Sequence, residues 1–149
     1  MPNSTIFKNR INELIELREK DKVKTCKSIG VDTRSISLAM EYGILPSTKT
    51  LIKIADYFEV SLHYLLGKTE DNYFYPTSEQ SSFPERLKIL LKERDITAYK
   101  LANYCHFDKS YITKWNKGKI TPSLEFLELI SDFFDVSIDF LLGRTDDRK

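Results

Sequence analysis

One stretch of this chain occurs twice. "PSTKTLIKIADYFEVSLHYLLGKTED" (46–71) and "PSLEFLELISDFFDVSIDFLLGRTDD" (122–147) are variants of a single sequence. The register extends without a gap back to Phe7, which aligns with Phe83, an offset of 76 residues. Arg10 then pairs with Arg86, Arg18 with Arg94, Ile36 with Ile112 and Gly67 with Gly143. About a third of the paired positions are identical. A fixed internal period marks a duplicated unit, and a unit of roughly 65 residues is large enough to fold alone. The 149 residues therefore predict two small domains, 5–71 and 83–145, and exclude one large core. Between them "NYFYPTSEQSS" (72–82) has the Ser and Pro content of a linker. Its 11 residues reach at most ~36–40 Å when fully extended. Tyr73, Phe74 and Tyr75 within it are apolar enough to expect packing against a domain or a second subunit.

Gly and Pro are scarce, at five each, while Leu, Ile, Lys and Glu are common, which predicts an all-α fold. Each repeat reads as five short helices. In the second, "PERLKILLKERD" opens on Pro84, suited to a first helical turn, and carries Leu87, Leu90 and Leu91 on one face. Thr97 caps "AYKLANYCH", and Asp108 caps "KSYITKWNK", which Gly118 ends. Pro122 announces a fourth helix with Leu124, Leu127, Ile130 and Phe134 aligned. Ser137 caps the last, "IDFLL", and Gly143 stops it. The short link between the second and third helices makes a helix-turn-helix.

On the third helix, at 100° per residue, Lys109, Ser110, Thr113, Lys114 and Lys117 share one arc. Tyr111, Ile112, Trp115 and Asn116 take the other side, which is expected to pack inward through Ile112 and Trp115. Positive charge collects here: from Thr97 to Thr121 there are five lysines and one aspartate, whereas 124–147 holds seven acids and one arginine. The net charge of +1 hides this partition. A cationic, hydroxyl-bearing arc on one helix suits the DNA major groove, where Lys donates to guanine O6 and N7 and Ser or Thr meets either base edge.

Other chemistries find little support. Cys26 and Cys105 lie far apart with no metal-ligand spacing and are expected to be buried free thiols. His63 and His106 are isolated from any triad or cluster, and no glycine-rich phosphate loop occurs. No enzyme, cofactor or small-molecule effector site is expected. "MPNSTIFKNR" has no apolar signal core, and no run nears the ~18 apolar residues of a membrane span, so a cytoplasmic protein is expected.

The segment "LANYCHFDKSYITKWNKGKITPSLEFLELISDFFDVSIDFLLG" resembles the helix-turn-helix domain of the phage Cro and repressor family, the Xre-like regulators. The Ile-x-x-Trp-x-x-Gly-Lys pattern, the following Pro-Ser-Leu and the closing Leu-Leu-Gly carry the likeness across 83–145, and more weakly across 7–70. The resemblance implies two tandem five-helix DNA-binding domains, usually acting as dimers on operators. It places base reading on Lys109, Ser110, Thr113 and Lys114, and backbone contact on Lys100, Tyr111, Lys117 and Lys119. One departure is Ala98, where the family often has a Gln that braces the recognition helix or touches a phosphate.

The first repeat departs further. Its third helix, "TRSISLAMEYG", presents Thr33, Arg34, Ser37, Leu38 and Glu41, and Ala39 stands at the tryptophan position. Glu41 repels phosphate. Arg18, Lys20, Lys22, Lys24, Lys27 and Arg34 nevertheless form a basic cluster, so Lys22, Lys24, Thr33, Arg34 and Ser37 are candidate DNA contacts, with a dimerising role as the alternative. The leading expectation is a sequence-specific regulator of transcription, most simply a repressor, bound to double-stranded DNA, with a homodimer as the candidate assembly. The competing one is a protein-interaction module of antitoxin or anti-repressor type on the same fold.

Overall fold

A computed structural model describes residues 3–18, 21–77, 81–118 and 120–149, with only the backbone of residue 18 included. The described residues form ten helices: α1 Thr5–Arg18, α2 Lys22–Ile29, α3 Thr33–Tyr42, α4 Thr48–Phe58, α5 Leu62–Leu65, α6 Phe83–Arg94, α7 Ala98–Cys105, α8 Ser110–Asn116, α9 Leu124–Phe134 and α10 Ile138–Leu141. The chain is all-α, as its composition predicts. An isolated bridge, Asn3 to Ile44, is its β-type pairing among the described residues.

The helices start where short polar side chains can satisfy the first free backbone N–H groups. Ser82 caps α6 by accepting from the Glu85 N–H, and its hydroxyl donates to the Glu85 carboxylate at 3.0 Å, with Pro84 in the first turn. Thr97, Ser123 and Ser137 cap α7, α9 and α10 in the same way. Asp21, Ser47 and Ser61 do this for α2, α4 and α5, each 76 positions earlier. α7 stops at Cys105, one residue sooner than expected, because His106 turns left-handed at φ 60°.

The chain divides into two compact units, Met1–Phe74 and Tyr75–Lys149. In the first, Phe7, Ile11, Ile36, Leu51, Ile54, Leu62 and Leu65 are fully buried. In the second, Leu87, Leu101, Trp115, Leu127, Ile130, Ile138 and Leu141 make the core. Cys26 and Cys105 are buried and unbridged, and burial pushes both thiol pKa values up.

Each core is closed by a buried arginine. Arg86 on α6 donates to the Thr145 carbonyl at 3.0 Å, to the Ser81 hydroxyl at 2.5 Å and to Asp146 at 3.2 Å, with its guanidinium 4.4 Å from the Phe140 ring centroid. Arg10 on α1 donates to the Thr69 carbonyl at 2.7 Å and to the Tyr64 carbonyl, pairs with Glu70 at 3.2 Å, and lies 4.2 Å from the Tyr64 ring. In both units the first helix thus grips the segment that leaves the fifth.

The stretch expected as a linker is partly structured. Tyr75 accepts from the Thr145 hydroxyl at 2.7 Å, and Thr77 bonds the Arg144 carbonyl at 2.9 Å and the Asp146 carboxylate at 2.7 Å. At its other end Ser81 and Ser82 serve Arg86 and the α6 cap. These residues belong to the second unit because polar side chains there complete its arginine cage, a tertiary use that Ser and Thr content does not disclose.

Replacing Arg86 by Leu leaves the Thr145 carbonyl and the Ser81 hydroxyl without this donor. The expected loss is about 2–4 kcal/mol of unfolding free energy, read by chemical denaturation, whereas a Lys92→Ala change on the exposed face of α6 stays within about 0.5 kcal/mol.

Candidate nucleic-acid interface

α7, the turn through 106–109 and α8 form the expected helix-turn-helix. The turn depends on His106, whose left-handed backbone occupies the place of Gly30 at φ 86° in the first unit. Asp108 then fixes the start of α8: its carboxylate accepts from the Ser110 N–H at 2.8 Å. That bond, followed by one from the Ser110 hydroxyl, lowers the Asp108 pKa. Ser110 is therefore partly engaged in capping, which a helical wheel cannot show. Gly118, at φ 69°, terminates the helix.

α8 presents the expected arc to solvent. Lys109, Ser110, Thr113, Lys114 and Lys117 are all exposed, while Ile112 and Trp115 are buried. Asn116, on the side opposite the arc, is exposed, because α8 ends there. Tyr111 is half-buried, its ring 4.9 Å from Phe126, and the Lys114 ammonium lies 5.5 Å from the Tyr111 centroid. Lys100, on α7, is exposed. Lys119 lies outside the described residues.

Aromatic side chains hold α8 from beneath. Trp115 is only 1% exposed and is ringed by Phe107 at 5.4 Å, Phe83 at 5.5 Å, Phe126 at 5.8 Å and Tyr111 at 6.2 Å. Its buried indole N–H has no conventional acceptor among the described residues. Sequence reading found Trp115 but missed Phe107 and Phe126 as its supports, because they lie on the turn and on α9.

A further contact also lay outside the sequence reading. The Lys109 ammonium sits 6.0 Å from the ring centroid of Tyr99, an exposed residue in the first turn of α7. Tyr99 stands where the first repeat has Val23, and that exchange of an aliphatic for an aromatic surface residue was its one sequence signal.

The first unit is arranged differently. α3 runs for 10 residues against 7 in α8, and Asp32 caps it by accepting from the Ser35 N–H at 2.7 Å and the Ser35 hydroxyl at 2.9 Å. These bonds lower the Asp32 pKa. Of the candidate contacts there, Lys24, Thr33 and Arg34 are exposed, but Lys22 donates to Ser37 at 2.9 Å. That bond spans α2 and α3 from the position of Ala98, so the lysine supplies the brace that the second unit lacks. Ala98 instead borders an open groove of about 440 Å³, shared with Leu87, Leu91, Ile112 and Asn116. Near the end of α3 the Tyr42 phenol hydrogen-bonds Glu41, which raises the Tyr42 pKa, and Glu41 itself stands where the second unit has Lys117. Of the wider basic cluster, Lys27 is exposed, while Lys20 and the Arg18 side chain lie outside the described residues.

Comparison with known proteins agrees with this geometry. Residues 87–141 match the family model described as helix-turn-helix. That match runs from α6 to α10 and contains the whole of α7, the turn and α8. The chain is also 40% identical over 61 residues to an HTH-type transcriptional activator, BcrR, of Enterococcus faecalis. The aligned part is 41% of this chain and spans 30% of that relative's length. No solved structure matches. Among the described residues no helix is long and apolar enough to cross a membrane, and no group of three or more His, Cys, Asp or Glu could hold a metal ion.

Two outcomes follow. Trp115→Ala empties the aromatic nest and is expected to lower stability by about 3–5 kcal/mol, followed by far-ultraviolet circular dichroism since the sole tryptophan is lost. The depressed pKa of Asp108 means its capping contribution is complete above the ordinary carboxylate value near 3.8 and fades as pH falls through the lower folded-state value. Asp108→Asn keeps a cap that does not titrate, so its stability should fall less steeply than wild type across that acid range.

Proposed function

We propose that the protein is a sequence-specific, double-stranded DNA-binding regulator of transcription that reads the major groove with α8. The observation that carries this reading is the one-sided character of that helix. Its exposed arc is three lysines and two hydroxyl residues, and its other side is locked into an aromatic core. Lys109, Ser110, Thr113 and Lys114 read base edges, and Lys100, Tyr111, Lys117 and Lys119 meet phosphates along the groove walls. The helix-turn-helix match over 87–141 and the regulator name of the similar protein support the assignment.

Two such units in tandem allow contact with successive half-sites about 34 Å apart. In the first unit Lys24, Thr33 and Arg34 face outward while Lys22 is bonded to Ser37 and Glu41 is acidic. It therefore offers fewer cations and serves as a weaker DNA contact or as the surface that pairs two chains in a homodimer. Occupying an operator represses by blocking polymerase, the simplest outcome. The similar protein is named an activator, so a promoter-reporter assay with and without the chain must decide the sign.

A protein-binding role is the second reading, and one feature favours it. Tyr104 is 68% exposed and meets half-buried Phe133 edge-to-face at 4.6 Å between centroids, with exposed Leu129 one turn earlier on α9. The first unit has Ser28, Lys53 and Tyr57 at those places, so the fold does not require this apolar patch.

Selection of duplexes from a random pool tests the first reading against the second. Wild type should enrich a defined motif, and Lys114→Ala should lose preference at one base pair, a discrimination of about 1–3 kcal/mol for a good contact. Lys117→Ala should weaken all duplexes alike and flatten the salt dependence by about 0.9 in log–log slope. No enrichment, or affinity that ignores salt, would move the function to the protein partner.

A further inference from the structure

The Lys109 ammonium approaches one aromatic face, and that face belongs to the neighbouring helix. We propose that Tyr99 is a positioning residue for sequence recognition: its ring restrains the Lys109 ammonium and sets how that lysine meets a base pair. The proposal rests on the assignment of Lys109 as a base-reading residue.

Four observations carry it. The ammonium lies 6.0 Å from the ring centroid, within reach of a cation–π attraction. The core does not demand an aromatic here, since Tyr99 is 58% exposed and its counterpart Val23 is exposed to a similar degree. Both members of the pair differ between the repeats: the first unit has Val23 and Thr33, which can form no such contact. Finally, the carboxylate beside Lys109 is committed elsewhere, because Asp108 accepts from the Ser110 N–H and the lysine charge that lowers its pKa is Lys114.

The physical effect is on direction. A lysine ammonium on a four-carbon stem is a flexible point charge and discriminates poorly between base edges. Lys109 sits at the first position of the arc, where its stem has solvent on most sides. A ring under one side of its sweep removes unproductive rotamers before DNA arrives, so less ordering remains to be done on binding. The consequence is sharper preference at one base pair, with little change in general affinity for DNA.

The test uses the full chain and the preferred duplex from selection, with each base pair substituted in turn. Discrimination ratios are measured for wild type, Tyr99→Phe, Tyr99→Leu, Lys109→Ala and the Lys109→Ala/Tyr99→Leu double variant. Tyr99→Leu should lose about two- to fivefold in discrimination, the size of one exposed cation–π contact, at the base pair that Lys109→Ala affects. Tyr99→Phe should retain it, and Tyr99→Leu should add nothing in the Lys109→Ala background. The proposal fails if Phe behaves as Leu, which would make the hydroxyl a phosphate contact. It fails equally if Leu weakens all duplexes uniformly, or if the two effects add. Should Lys109→Ala alone leave every preference intact, the base-reading assignment of Lys109 falls first and takes this proposal with it. Unchanged thermal midpoints show that each variant is folded.

Discussion

A guanidinium buried between the first helix and the end of the fifth is the interaction on which each unit depends. Five short helices of this kind bury little surface individually, and α5 and α10 span only four residues each. Isolated helices of such length do not persist in water. Arg10 and Arg86 solve this by bonding backbone carbonyls of the segment that follows the short last helix, while an aromatic ring of that helix lies against the guanidinium. The same geometry recurs at a spacing of 76 residues, down to Thr69 and Thr145 as acceptors. An arginine is suited to this because its planar fork reaches several acceptors at once, and a lysine cannot replace that fork.

Given that shared frame, the units differ in how they hold the third helix. The second unit uses volume: Trp115 fills the space against α6 with rings contributed by the turn and by α9. The first has Ala39 there, and the smaller side chain brings α3 and α1 together around Ile36 and Phe7. Without an indole at that position, α3 also has polar ties. Lys22 reaches Ser37, and Asn12 donates to the Met40 carbonyl at 2.9 Å. Packing and hydrogen bonding thus do the same positional task in two chemically different ways.

Much of the fold was legible because period and caps agree. Thr97, Ser137 and Gly143 each mark a boundary that the structure shows. The exposed arc of α8 was legible for the same reason, since Ile112 and Trp115 set the inner face and the helical period does the rest. What stayed hidden depends on contacts distant in sequence. The polar residues after Phe74 read as a tether until Thr145 and Asp146 are seen to bond them. The left-handed backbone of His106 is equally hidden, since histidine carries no strong signal for that conformation. Nor does the wheel place Tyr99 beside Lys109, since the two lie on different helices.

The contrast between Lys22 and Ala98 bears on why the two outer faces differ in charge. A cation bonded to a neighbouring hydroxyl has its donors directed along the protein surface, and it stabilises the helix pair more than it serves an incoming anion. In the first unit the brace takes up a lysine, and α3 carries Glu41 further along the same arc. In the second unit the aromatic nest holds α8, position 98 is alanine, and the lysines of the arc stay exposed. A helix fixed by apolar packing can devote its polar residues to a ligand, whereas one fixed by polar bonds has already assigned some of them.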